Sequence, residues 1–162
     1  MRLPDTAFVQ PDRTNPLHTD VDRHFEPLTD AFAADPLMHA VVSLLGRVAG
    51  ALDGTPHWIV KVHPFRVVAT AGRAGQPTPE GRHRDGVTLV SSLLVDRGNA
   101  TGGRSTVFAA DGSAPLAATL DQPAGLLLSD DRSTLHEVSP IRPLVPARPA
   151  HRDVLVATLT PA

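Results

Sequence analysis

Beyond Gly54 the chain breaks into eight short apolar and β-branched runs, with no helical stretch between any two of them. They fall at residues 57–63, 65–71, 86–95, 105–109, 115–120, 125–128, 133–139 and 152–159. Turn-forming residues separate them: Gly72, Gly75, Arg97-Gly98-Asn99, Gly102-Gly103, Asp111-Gly112, Gln122-Pro123 and the proline-rich stretch 140–149. Parallel neighbours in a sheet need long crossovers, usually helices, so this order excludes a βαβ sheet. It predicts a mainly β fold, an antiparallel barrel or jelly roll.

One helix is legible before the strands. Asp35 supplies an N-cap and Pro36 the first helical position, and Leu37, Val41, Leu44, Leu45, Val48 and Leu52 follow at helical spacing up to Gly54. Residues 1–30 read as an extended, proline-punctuated arm, with a short helical turn near 27–34. A chain of 162 residues buries roughly 70% of its unfolded surface, enough for a single core. The expected organisation is therefore one domain, 1–162, with an arm and buttressing helix over 1–53 and a jelly-roll core over 54–162.

Composition narrows the chemistry. Cysteine is absent, which removes disulfides, thiolate metal sites and cysteine nucleophiles, so any metal must sit on imidazoles and carboxylates. A formal net charge of −2 without a basic run gives no footprint for nucleic acid or an anionic membrane, and a small-molecule partner is expected. The start, MRLPDTAFVQPD, has no apolar core of a signal peptide, and no stretch approaches the roughly 20 apolar residues of a spanning helix. The expected location is cytoplasmic. No Gly-x-Ser-x-Gly elbow is present, and no helix start follows Gly102-Gly103 as a nucleotide loop requires.

The tripeptide His-x-Asp occurs three times, as His18-Thr19-Asp20, His83-Arg84-Asp85 and His151-Arg152-Asp153, so by itself it discriminates nothing. A mononuclear non-haem iron centre needs two imidazoles and one carboxylate on one face, with open positions for co-substrate and oxygen. The middle copy meets that need best. In an extended backbone His83 and Asp85 point the same way, Gly86 lets the chain turn into an apolar run, and His136 follows inside a predicted strand. His151 has no later histidine to partner it, and His18 lies in the arm.

Four strings extend this constellation: PTPEGRHRDG (77–86), LLVDRGNATGGRSTVF (93–108), LLLSDDRSTLHEVSPI (126–141) and HRDVLVATL (151–159). In that order, with FVQPDRTNPLHTDVDRHFEP (8–27) before them, they resemble the bacterial 2-oxoglutarate/iron dioxygenase family that includes L-isoleucine 4-hydroxylase and related free amino acid hydroxylases. The resemblance implies a double-stranded β-helix, with Fe(II) held by His83, Asp85 and His136. It also implies 2-oxoglutarate and O2 as co-substrates, and a basic residue opening the last strand to bind the far carboxylate of 2-oxoglutarate, a position that Arg152 matches. The reaction it implies is hydroxylation of a free amino acid, with release of succinate and CO2.

Alternation along 152–159 independently places Arg152 on one face with Val154, Val156 and Thr158, where a guanidinium needs an anionic partner. Arg142 and Arg148 are its rivals, and an arginine reaching solvent is the plainer alternative. Asn15, Arg23, His24 and Glu26 of the arm are weighed for gripping a substrate against a solvated arm, and Arg66 for a site contact. Asp130 and Asp131 read either as partners of a ligating imidazole or, slightly preferred, as a plain turn. A metal-binding jelly roll without oxygenase activity, serving as a sensor or pathway partner, is the second functional reading. A metal enzyme of the same barrel class that does not use 2-oxoglutarate is the third.

Overall fold

The computed structural model describes residues 26–162. The first helix, α1 (Asp30–Ala33), is the short turn expected near 27–34, and Thr29 caps it by accepting from the Phe32 amide. The second, α2 (Pro36–Asp53), starts where the sequence predicts: the Asp35 carboxylate accepts from the Leu37 amide at 2.8 Å. It stops at Gly54, whose φ of 72° is left-handed and suits a residue without a Cβ.

Among the described residues nine strands follow: β1 (Trp58–Ala69), β2 (Leu89–Gly98), β3 (Ala100–Gly102), β4 (Arg104–Ala109), β5 (Leu116–Thr119), β6 (Leu126–Asp130), β7 (Thr134–Val138), β8 (Ile141–Pro143) and β9 (Ala150–Pro161). They form a four-stranded sheet in the order β1-β9-β2-β6, a three-stranded sheet β5-β4-β7 and a small pair β3-β8. Every ladder between them is antiparallel. The last strand lies between the first two, so the sheet closes only when the chain is complete to β9. The fold is the mainly β jelly roll expected from the sequence.

The long sheet is covered on both faces. On the outside, Leu45 and Ala49 of α2 pack on Leu89, Ala157 and Leu159. On the inside, Val154 meets Leu94 and Leu120, with Leu127 and Val156 against them. Alternation along β9 thus serves the helix with one set of residues and the interior with the other. The helical stripe is narrower than its apolar spacing suggests, because Leu37, Leu44 and Leu52 remain 71%, 44% and 41% exposed.

Three departures from the sequence reading have physical reasons. The runs 57–63 and 65–71 form a single strand through Pro64, because β1 is an edge strand pairing only with β9, where a missing amide is tolerated. Ile141–Pro143, within the stretch read as a turn, pairs with Ala100–Gly102, of which only Gly102 reads as a turn residue, since three-residue strands carry too little periodicity to be seen. In β2 the register slips between Leu94 and Asp96, so Val95 is an extra residue and Arg97-Gly98 continues the strand instead of turning.

Candidate metal centre

His83 and His136 come from distant segments and meet as a two-residue antiparallel bridge. His83 N donates to His136 O at 3.0 Å and His136 N donates to His83 O at 2.9 Å. Residues opposed in this way project from the same face of a ladder, and the two ring centroids lie 4.4 Å apart. Asp85 completes the group. Its Oδ1 is 3.8 Å from His83 Nε2 and its Oδ2 is 3.8 Å from His136 Nε2. One ligand atom from each of the three lies within 4.8 Å of the other two. Cis ligands at about 2.1 Å from a first-row metal stand about 3 Å apart, so small side-chain rotations reach coordination distance.

The ring orientations suit that use. His83 Nδ1 lies 2.9 Å from the Gly81 carbonyl, which can only accept, so that nitrogen donates and Nε2 is turned toward Asp85. His136 Nε2 likewise faces Asp85, while its buried Nδ1 has no hydrogen-bond partner and stands 3.7 Å from Asp131 Oδ1. A slight approach would complete an imidazole–carboxylate pair of the kind that orients metal-ligating histidines.

Asp131 is the organising residue behind the centre. Only 1% exposed, its carboxylate accepts from three consecutive backbone amides, those of Asp85 (3.0 and 3.2 Å), Gly86 (2.7 Å) and Val87 (3.1 Å). Gly86, at φ 75°, makes the turn that brings these amides together. Asp130 closes β6 and pairs with Arg132 at 2.9 Å near the surface, and the turn begins at Asp131. The preferred reading as a plain turn thus describes the backbone at Asp131 but not its carboxylate, whose burial no local pattern announces.

Burial, and secondarily the His83 imidazole, pull the His136 pKa down to about 4 from the ordinary 6.5. At neutral pH the ring is therefore uncharged and ready to ligate. The unfolded chain binds this proton between pH 6.5 and about 4 while the folded chain does not. The stability of the metal-free protein accordingly falls as pH drops through that window, by up to about 3 kcal/mol from this group. Urea unfolding of metal-free protein at stepped pH checks this. The acid-side slope should shrink in His136→Gln, and an equal slope in both proteins would refute it.

Facing the centre, the two sheets border a small, partly open cleft lined by Val90, Ser92, Ser105, Leu127, Ser129 and His136 among others. The Ser105 hydroxyl is buried there without a partner. Glu80, which the sequence reading passed over, brings Oε1 to 3.3 Å from His83 Nε2; only its position after a Pro-containing loop could have drawn attention to it.

Arg152 points inward, as alternation predicts. It is 2% exposed, and its Nε and Nη2 are buried without a hydrogen-bond partner. Burial first, and then Arg97, lower its pKa to about 10, so it stays charged at neutral pH. A buried, unpaired guanidinium is costly unless an anion completes it. The rivals Arg142 and Arg148 are both exposed.

The remaining sequence candidates separate clearly. His151 and Asp153 of the third His-x-Asp copy gather with Asp96 on the outer face. There His151 Nε2 is 2.8 Å from Asp96 Oδ2 and Arg66 clasps Asp153. Arg66 is thus a surface ion-pair partner and not a site contact. Glu26 is exposed; His18, Asp20, Asn15, Arg23 and His24 lie outside the described residues.

The sequence profile described as 2OG-Fe dioxygenase matches residues 1–158. The chain belongs to the 2OG-Fe dioxygenase family. Fe(II), 2-oxoglutarate and O2 are the cofactor and co-substrates of that family, and the two-imidazole, one-carboxylate donor set fits the iron, while an inward-facing arginine without a recorded partner suits an anion. Among solved structures, the chain is similar to a BsmA homologue from Methylobium petroleophilum PM1, at 39% identity and TM-score 0.86, over 99% of this chain and 65% of that one. It also resembles IDO from Bacillus thuringiensis (23% identity, TM-score 0.75, 84% of this chain and 65% of that one). A third is the Fe(II)/α-ketoglutarate-dependent dioxygenase TqaL (18% identity, TM-score 0.73, 85% and 57%). The last two likenesses establish the fold alone, and the chain spans less than two thirds of the length of each of the three. No curated protein sequence matches it. No helix among the described residues is long and apolar enough to cross a membrane.

Proposed function

We propose that this family member is an Fe(II)- and 2-oxoglutarate-dependent oxygenase that hydroxylates a free L-amino acid or a similar small molecule, with His83, Asp85 and His136 as the iron ligands. One observation carries the reading. The His83–His136 bridge delivers two imidazoles to one carboxylate at the wall of a cleft, in a barrel whose last strand turns an unpaired Arg152 inward.

Each residue has a physical task in this reading. Gly81 and Asp131 orient the two imidazoles, and the depressed His136 pKa keeps that ring unprotonated down to about pH 4. Asp85 contributes the negative charge. Arg152 takes the far carboxylate of 2-oxoglutarate through charge-assisted hydrogen bonds, which fixes the co-substrate's direction. Iron(II) with 2-oxoglutarate supplies the oxygen chemistry that releases succinate and CO2 and leaves a hydroxyl group on the substrate. The facing sheets would limit access of water, and the position in which the cleft holds the substrate would select the carbon.

The amino acid preference is supported by the four ordered sequence strings. Incubation with iron(II), 2-oxoglutarate and a panel of free amino acids, read by mass spectrometry, tests it. One substrate should gain a single oxygen in step with succinate. Iron binding without 2-oxoglutarate consumption across the panel would contradict the proposal and favour a metal-binding jelly roll.

A further inference from the structure

Arg152 has a second guanidinium beside it. In the β2–β9 ladder its register partner is Arg97, with Asp96 opposite Asp153 on one side and Gly98 opposite His151 on the other. Leu94 packs inside against Val154, so plain alternation would put Asp96 inside and turn Arg97 out. The extra residue Val95 reverses this. Val95 is left 56% exposed, Asp96 joins His151 outside, and Arg97 comes in beside Arg152.

The carboxylates nearest in sequence are thereby committed elsewhere, Asp96 to His151 and Asp153 to Arg66, both on the outer face. Arg97 Nη2 donates to the carbonyls of Ala100 (3.0 Å) and Gly102 (2.8 Å), which fixes the fork, while its Nη1 is buried without a partner. Both arginines converge on Gly103. A Cβ there would lie 2.8 Å from Arg97 Nη1 and 3.4 Å from Arg152 Cδ. Among the described residues no acid is recorded against either guanidinium, and two adjoining cations with unfilled donors are stable together only if an anion joins them.

We propose that Arg97 is a second arm of the co-substrate site, donating with Arg152 to the far carboxylate of 2-oxoglutarate. This rests on the oxygenase reading above. The bulge at Val95 is then the device that aims the second arm, and it makes the site selective for a 2-oxo acid with an anionic far end.

Anaerobic calorimetric titration of the iron(II)-loaded protein tests it, with 2-oxoglutarate and with 2-oxopentanoate, which carries a methyl group in place of that carboxylate. Wild type should prefer 2-oxoglutarate. Arg97→Met should weaken 2-oxoglutarate by about 10- to 100-fold, the worth of a charge-assisted bond, and leave 2-oxopentanoate within about twofold. Arg97→Lys, which keeps the charge, should recover part of the loss. Equal weakening of both acids by Arg97→Met would mark Arg97 as merely structural and overturn the proposal. So would normal 2-oxoglutarate binding in Arg97→Met alongside weakened binding in Arg152→Met, with the oxygenase reading intact. A wild type that does not distinguish the two acids would remove that reading as well.

Discussion

His83→Ala and Asp85→Ala are each expected to abolish metal-dependent succinate release while leaving the protein folded. Each change removes one of three donors that lie within 4.8 Å of one another. The loss of iron affinity should exceed the roughly 10- to 100-fold that outer partners of metal ligands typically command. The fold should survive because the bridge joining the two segments is made by backbone atoms, His83 N to His136 O and His136 N to His83 O, which alanine retains. What His83→Ala gives up structurally is the bond from Nδ1 to the Gly81 carbonyl, worth about 1 kcal/mol. Metal content after dialysis, with succinate assayed on the same samples, checks both variants. Wild-type turnover in either would displace the centre from these residues.

Asp131→Asn should be nearly as damaging, by a different route. The carboxylate fills a nest of three amides, from Asp85, Gly86 and Val87. Asparagine can keep one oxygen where Oδ2 accepts all three amides, but it loses the charge and puts an NH2 where Oδ1 faces Asp85 N and His136 Nδ1. Weakening a buried charged acceptor in this way costs about 1–3 kcal/mol. Asp85 shifts with the nest and His136 loses the acid beside Nδ1, so iron affinity should also fall, by about 10- to 100-fold. The neighbouring Asp130→Asn provides the contrast. Its ion pair with Arg132 is substantially exposed, and such pairs are worth about 0–1 kcal/mol. Urea midpoints and metal retention should separate the two adjacent aspartates, and equivalent behaviour would contradict the role given to Asp131.

The contrast between these neighbours shows where the sequence is legible. Asp35, Pro36 and Gly54 mark the ends of α2 because capping is local, and the turn residues announce the strands for the same reason. The alternation that turns Arg152 inward is equally local, since a strand repeats every two residues. His136 could be paired with His83 and Asp85 only because its position in a late strand fits a chain folding back over several antiparallel strands. Asp131 was not legible, because its burial depends on the amides of residues more than forty positions away. Arg97 escaped notice for a similar reason. Arg97-Gly98-Asn99 has turn composition, and the single extra residue at Val95 that turns the arginine inward leaves no mark in the apolar pattern. The third His-x-Asp copy repeats the lesson: His151 and Asp153 do share a face, but it is the outer one, where Arg66 waits.

In the reading proposed above, His83, Asp85 and His136 hold an iron(II) on which 2-oxoglutarate docks. Adding 2-oxoglutarate to the anaerobic iron(II)-loaded protein and recording the visible spectrum tests this most directly, because chelation of iron(II) by a 2-oxo acid gives a weak charge-transfer band. The band should appear in wild type, saturate at one iron per chain and be absent from His136→Ala. No band in iron-loaded wild type, or an undiminished band in His136→Ala, would contradict the claim.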